Sequence, residues 1–220
     1  MKIGFFDSGI GGTSVLNAVK NLLPNEEYKY IADSKNCPYG EKSDEELKAI
    51  VSKNTEELID WGAEIIVIAC NTATTKCIGY LREKYPNVKF VGTEPAIKLA
   101  TESGAKNILV MATPGTIASE RTKSLLDDYK KPNQNITLLA CPGLADTIEE
   151  NLESKNFNII IEKLNIMFSD LNKNQFFPEV IVLGCTHYSL IKPQIQSFFP
   201  SARLIDGNDG VARRVKELIR

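Results

Sequence analysis

Short runs rich in Ile, Val, Phe and Leu alternate along this chain with longer stretches in which apolar residues recur every three or four positions. The first pattern belongs to strands covered on both faces, the second to amphipathic helices. Strands are expected at residues 2–6, 28–32, 65–69, 89–91, 107–111, 136–140, 180–184 and 203–205. Helices are expected at 13–23, 43–61, 74–85, 96–103, 117–129, 144–153, 159–171, 189–198 and 210–219. Such alternation predicts an α/β fold built on parallel sheets. Ser43 followed by Glu46 reads as a capping box and marks the start of the second helix.

The pattern also echoes itself. Glu64 opens an apolar strand that ends at Cys70-Asn71-Thr72, and the helix after it closes at Tyr85-Pro86. Glu179 opens another that ends at Cys185-Thr186-His187, with a helix closing at Phe199-Pro200. Upstream of each lies a strand ending in small polar residues, Phe6-Asp7-Ser8-Gly9 in one half and Met111-Ala112-Thr113-Pro114-Gly115-Thr116 in the other. Chance likeness of two buried strands is the competing explanation. The matched residues on both sides of each cysteine weigh against it, and two related α/β halves are the simplest reading. The join is expected near Gly92-Thr93.

Composition narrows the classes of function. A chain of 220 residues with 43% hydrophobic and 25% charged residues is ordinary for a globular protein. Its formal charge of -2 gives no reason to hold a polyanion, so no nucleic-acid partner is expected. Arg213, Arg214, Lys216 and Arg220 complement the end of a final helix. No apolar run approaches the roughly 18 residues of a membrane span. Asp7 comes too early for a signal peptide, so a cytoplasmic protein with reduced thiols is expected. Cysteines 37, 70, 77, 141 and 185 form no CxxC pair, and His187 is the single histidine. No metal site is expected, and a thiol redox protein is disfavoured.

Ligands of open α/β sheets sit beyond the carboxyl ends of the strands, beside helix N-termini. Cys70 and Cys185 both fall there, where a helix N-terminus favours a thiolate. Two thiols, one per half, are what a two-base racemisation needs: one removes an α-proton and the other protonates the opposite face. Against this stands the common fate of a free cysteine as a small buried residue. Asp7 could polarise a thiol or hold an ammonium group, and His187 could relay a proton to Cys185. Ser8-Gly9-Ile10-Gly11-Gly12 also suits phosphate, but it lacks both the GxGxxG spacing and a Walker lysine. Turn chemistry exposing backbone N–H groups to a carboxylate is the better reading. Cys37, Cys77 and Cys141 are read as structural.

Taken in order, these motifs resemble the glutamate racemase family, within the wider aspartate/glutamate racemase group. The resemblance rests on Phe6-Asp7-Ser8-Gly9-Ile10-Gly11-Gly12, Pro38-Tyr39-Gly40, Cys70-Asn71-Thr72-Ala73, Gly92-Thr93-Glu94-Pro95-Ala96, Ala112-Thr113-Pro114-Gly115-Thr116 and Gly184-Cys185-Thr186-His187-Tyr188. It implies two pseudo-symmetric parallel-sheet α/β domains with the active site in the cleft between them. Residues 1–92 with 206–220 would form the first domain, carrying Asp7 and Cys70, and residues 93–205 the second, carrying Cys185 and His187. The implied activity is cofactor-independent interconversion of L- and D-glutamate, supplying D-glutamate for peptidoglycan. Cys70 and Cys185 would be the acid/base pair, with Asp7, His187 and Glu149 assisting. Asp7, Ser8, Tyr39, Gly40, Asn71, Thr72, Thr116, Thr186 and His187 would contact substrate. The resemblance also suggests a homodimer. Two alternatives stay open, an aspartate or broad acidic amino-acid racemase and a non-catalytic amino-acid-binding protein. The chain is shorter than is usual for the family, Ser189 stands where proline is common, and the segment from Cys141 to Asp146 is more polar than expected.

Overall fold

The computed structural model describes residues 1–219, apart from the side chain of Asn172, so Arg220 lies outside the described residues. The chain divides into two compact units, Met1–Glu94 with the segment from Gly207 onward, and Pro95–Asp206. In the first unit the order is β1 (Lys2–Asp7), α1 (Thr13–Leu22), β2 (Glu27–Ala32), α2 (Asp44–Asp60), β3 (Ile65–Ile68), α3 (Asn71–Lys84) and β4 (Lys89–Gly92). Single 3-10 turns, Ser34–Asn36 and Tyr39–Glu41, lie between β2 and α2. The second unit runs α4 (Ile97–Glu102), β5 (Asn107–Ala112), α5 (Pro114–Ile117), α6 (Glu120–Tyr129), β6 (Asn135–Ala140), α7 (Leu144–Asn151), α8 (Phe157–Lys173), β7 (Val180–Gly184), α9 (Lys192–Phe198) and β8 (Arg203–Ile205). The last helix, α10 (Asn208–Ile219), returns to the first unit.

Each unit holds one four-stranded sheet, parallel throughout, in the orders β2-β1-β3-β4 and β6-β5-β7-β8. The expected α/β class is therefore the one observed, and the two sheets share one topology. Every residue of β3 and of β7 is buried because helices cover both faces. On β3, Ile65 and Val67 pack toward Val15 and Val19 of α1 and Val211 and Val215 of α10. Ile66 and Ile68 pack toward Leu47, Val51 and Leu58 of α2 and Leu81 of α3. β7 repeats the scheme: Ile181 and Leu183 join Ile148 of α7 and Leu164 and Phe168 of α8, while Val180 and Val182 join Ile97 of α4 and Leu125 of α6.

The outer helices are exchanged along the chain. α4 follows the last strand of the first unit yet packs on α6, and α10 follows the last strand of the second yet packs on α1 and β4.

Three helices depart from expectation by more than two residues. α3 begins at Asn71 rather than residue 74, directly after Cys70. The single helix expected at 117–129 is two, because Thr113 and Ser119 each accept a backbone N–H three residues on and so start separate helices. The helix expected at 189–198 opens as a 3-10 stretch, Thr186–Ile191, before α9. Pro193 has no N–H to give an α-helical turn through Ser189, and it sits at the start of α9 instead.

Candidate active site

In each sheet the first strand of the unit has its onward connections on opposite sides, so the crevice at the carboxyl ends of β1 and β3, and of β5 and β7, is a topological switch point. Asp7 ends β1, and Cys70 follows β3 by two residues as the N-cap of α3. Cys185 follows β7 directly. The register makes the repeat quantitative. Ile68 pairs with Phe6 and Leu183 with Met111, so Cys70 corresponds to Cys185, Asp7 to Ala112 and Thr72 to His187. The thiols are equivalent and their neighbours are not. One unit places a carboxylate on its central strand, and the other an imidazole two residues beyond the cysteine.

In the first unit Asp7 is fully buried, and its Oδ2 accepts the Gly12 N–H at 2.6 Å. A Cβ at Gly12 would stand 2.7 Å from Asp7 Cβ and 2.9 Å from Ala69 Cβ, so glycine is what lets the loop close over the carboxylate. Ser8, Cys70, Asn71 and Thr72 are all buried as well. The side-chain oxygen of Asn71 is buried and accepts no hydrogen bond from the described residues. Cys70 stands at the positive end of the fourteen-residue α3, which favours a thiolate. Tyr39 is buried in the same apolar cluster as Cys70. Its hydroxyl donates to Asp33 Oδ2 at 2.7 Å and accepts from Asn54 Nδ2 at 2.9 Å. Burial, with Asp33 as the next cause, pushes the phenol far above its ordinary range. The Tyr39 ring therefore anchors the loop, and the main chain at Tyr39-Gly40 is what it can offer a ligand.

Asp33 and Asn54 escaped the sequence reading. A signal was present: Asn54 occupies the buried stripe of α2 between Val51 and Leu58, where an apolar residue is the rule. Asp33 also donates its N–H to the Asp7 carbonyl at 2.9 Å, so one residue holds both the Asp7 main chain and the Tyr39 loop.

In the second unit Cys185 Sγ and His187 Nδ1 are 3.8 Å apart, and His187 Nε2 lies 2.7 Å from Glu149 Oε2. His187 is almost wholly buried. With Glu149 ionised, the imidazole carries a hydrogen on Nε2, which leaves Nδ1 to take the thiol proton or, once protonated, to return it. α7 positions the carboxylate: Leu144, Ala145 and Ile148 bury one face and Glu149 follows beside it. Thr186 is buried next to Cys185. Thr116 is fully buried within a hydroxyl cluster, accepting from Thr113 Oγ1 at 3.0 Å. At Gly184 a Cβ would meet Ala112 Cβ and the Met111 carbonyl, both at 2.9 Å, so a side chain is excluded where β5 and β7 end.

Burial pushes the Cys77 thiol up to about 11 and the Cys141 thiol up to about 12. Among the described residues no group of three or more His, Cys, Asp or Glu could hold a metal ion, and no helix is long and apolar enough to cross a membrane.

Comparison with known proteins matches residues 12–215 to a family described as Asp/Glu/Hydantoin racemase. The chain is 43% identical to a glutamate racemase of Clostridium botulinum (strain Kyoto / Type A2), over 99% of this chain and 83% of that protein. It is also 43% identical to a glutamate racemase of Clostridium perfringens (strain SM101 / Type A), over 97% of this chain and 81% of that one. Among solved structures it is similar to Escherichia coli glutamate racemase in complex with L-glutamate and the activator UDP-MurNAc-ala. That likeness has a TM-score of 0.91 at 30% identity, covering 99% of this chain and 82% of the other.

Proposed function

The chain belongs to the Asp/Glu/Hydantoin racemase family, and we propose that it interconverts L- and D-glutamate without a cofactor, using Cys70 and Cys185 as the two acid/base groups. The observation that carries this reading is the register equivalence of the two thiols, each beyond the third strand of its unit and each with a different proton-handling neighbour. Choice of glutamate follows the relatives, which bear that substrate in their names.

The reaction balances with the chain's own groups. One cysteine, as thiolate, takes the α-proton; the other, as thiol, protonates the carbanion from the opposite face. After turnover the two have exchanged protonation states, so the reverse reaction starts from the state the forward one leaves. Asp7 serves Cys70. His187, oriented by Glu149, serves Cys185 by accepting and returning its proton. Asn71 offers a buried acceptor to the substrate ammonium, and the buried side chains of Ser8, Thr72, Thr116 and Thr186, with the main chain at Tyr39-Gly40, are the further polar groups assigned to substrate. A supply of D-glutamate for peptidoglycan and a cytoplasmic setting fit this activity and the five free cysteines.

A chiral assay on the purified protein tests the reading. L-Glutamate should approach an equal mixture of enantiomers while L-aspartate stays unchanged. Turnover of aspartate in preference to glutamate would move the assignment within the family, and turnover of neither would refute it.

A further inference from the structure

Cys70 is the N-cap residue of α3, with no side-chain capping bond. Thr74, in the first turn of α3 and 1% exposed, uses both its N–H and its hydroxyl in hydrogen bonds around Cys70. Its N–H donates to the Cys70 carbonyl at 2.9 Å. A threonine hydroxyl inside a helix commonly bonds the carbonyl three or four residues back. Here it reaches past Cys70 and donates to the Ile68 carbonyl, at 3.1 Å, at the end of β3. The same oxygen accepts the Thr93 N–H at 3.0 Å, a hydrogen that the Ile68 carbonyl shares at 3.1 Å, so hydroxyl, strand end and crossing meet at one point two residues before the chain leaves the first unit. A Cβ at Gly92 would lie 2.4 Å from the Thr74 methyl, so the absence of a side chain there makes room for this contact.

The other repeat carries a related device. Ser189 stands four residues after Cys185, as Thr74 does after Cys70, and its hydroxyl donates to Asp206 Oδ2 at 3.0 Å. Continuing the strand register makes Asp206 the counterpart of Gly92, again at the point where the chain leaves its unit. A hydroxyl tying the cysteine helix to the end of the outer strand thus occurs twice, with different chemistry at the far end.

We infer that Thr74 is a positioning residue for Cys70, its hydroxyl fixing the thiol's turn by bridging the end of β3 to the start of the chain crossing after β4. The effect on turnover rests on the proposed racemisation; the effect on the thiol does not. The test uses the full chain with Thr74→Val, Thr74→Ala and Thr74→Ser. Alkylation of Cys70 and Cys185 by iodoacetamide is followed by peptide mass spectrometry between pH 6 and pH 10, a range spanning roughly the ordinary thiol titration. Removing the hydroxyl should change the rate or the pH midpoint of Cys70 alkylation, by about fivefold or more in rate, while Cys185 keeps its profile. Glutamate turnover should fall about 10- to 100-fold in kcat with KM little altered, and serine should restore both. If valine destabilises the fold, as a melting curve would reveal, alanine provides the same deletion without crowding. An unchanged Cys70 profile in the hydroxyl-free variants overturns the inference whatever the turnover does, and so does serine behaving like valine. A wild-type protein that leaves glutamate untouched would refute the racemase reading alone, because the alkylation result stands by itself.

Discussion

Cys77 and Cys141 are enclosed by apolar groups that hold their thiols protonated, up to about 11 and about 12 respectively. Cys70 and Cys185 stand just beyond strand ends, each followed by buried polar residues, Asn71-Thr72 and Thr186-His187. At pH 8, limited iodoacetamide treatment should therefore label Cys70 and Cys185 well before Cys77 or Cys141, as read by peptide mass spectrometry; equal labelling would contradict the distinction. The shift has a sign for stability as well. Folded Cys141 binds its proton more tightly than the unfolded chain does, so its contribution is complete below the ordinary thiol range and declines as pH rises toward 12. Melting temperature should fall less steeply between pH 8 and pH 11 in Cys141→Ala than in the parent. His187 invites a different test. In the proposed mechanism its two contacts make it the proton store for Cys185, so His187→Asn should lower kcat about 10²- to 10⁴-fold, measured as initial rates from each enantiomer.

At the scale of elements, α2 depends on a reciprocal cap: Ser43 Oγ accepts the Glu46 N–H at 3.3 Å and Glu46 Oε2 accepts the Ser43 N–H at 3.1 Å. Ser43→Ala should cost about 1 kcal/mol in chemical denaturation. No loss would mean water replaces the cap. That box was legible because its partners lie three residues apart. Strands were legible for a related reason, since helices on both faces leave a continuous apolar run in β3 and β7. The break between α5 and α6 was hidden, because Ser119 lies inside an otherwise helical pattern and its capping role depends on Thr122. The bond between His187 and Glu149 was hidden more deeply. It joins residues 38 apart in sequence, and no spacing rule carries that distance. The Tyr39 anchor lay between these cases, its loop marked by a motif and its partner Asn54 visible only as a polar residue in an apolar stripe.

Across the whole molecule, one repeated sheet topology presents two equivalent cysteines, and the outer helix of each unit follows the other unit's last strand. The core of the first unit thus depends on residues that follow the second unit along the chain. Val215 of α10 is fully buried with Val15, Val19 and Ile65. Val215→Asp should destabilise that unit by on the order of 4 kcal/mol, since it buries a charge with no apolar replacement for its contacts. Trp61, the single tryptophan, lies in the same unit and reports the loss as a lower denaturation midpoint by fluorescence. An unmoved midpoint would mean α10 contributes little to that core. The central claim, that thiols from both repeats act on one α-carbon, is tested most directly by incubating L-glutamate in deuterium oxide with the parent protein, Cys70→Ser and Cys185→Ser. Chiral separation with mass spectrometry then follows both the enantiomer and its α-deuterium. The parent should yield D-glutamate carrying solvent deuterium, and each single variant should lose racemisation by about 10²-fold or more. Racemisation at the parental rate in either variant would contradict the account.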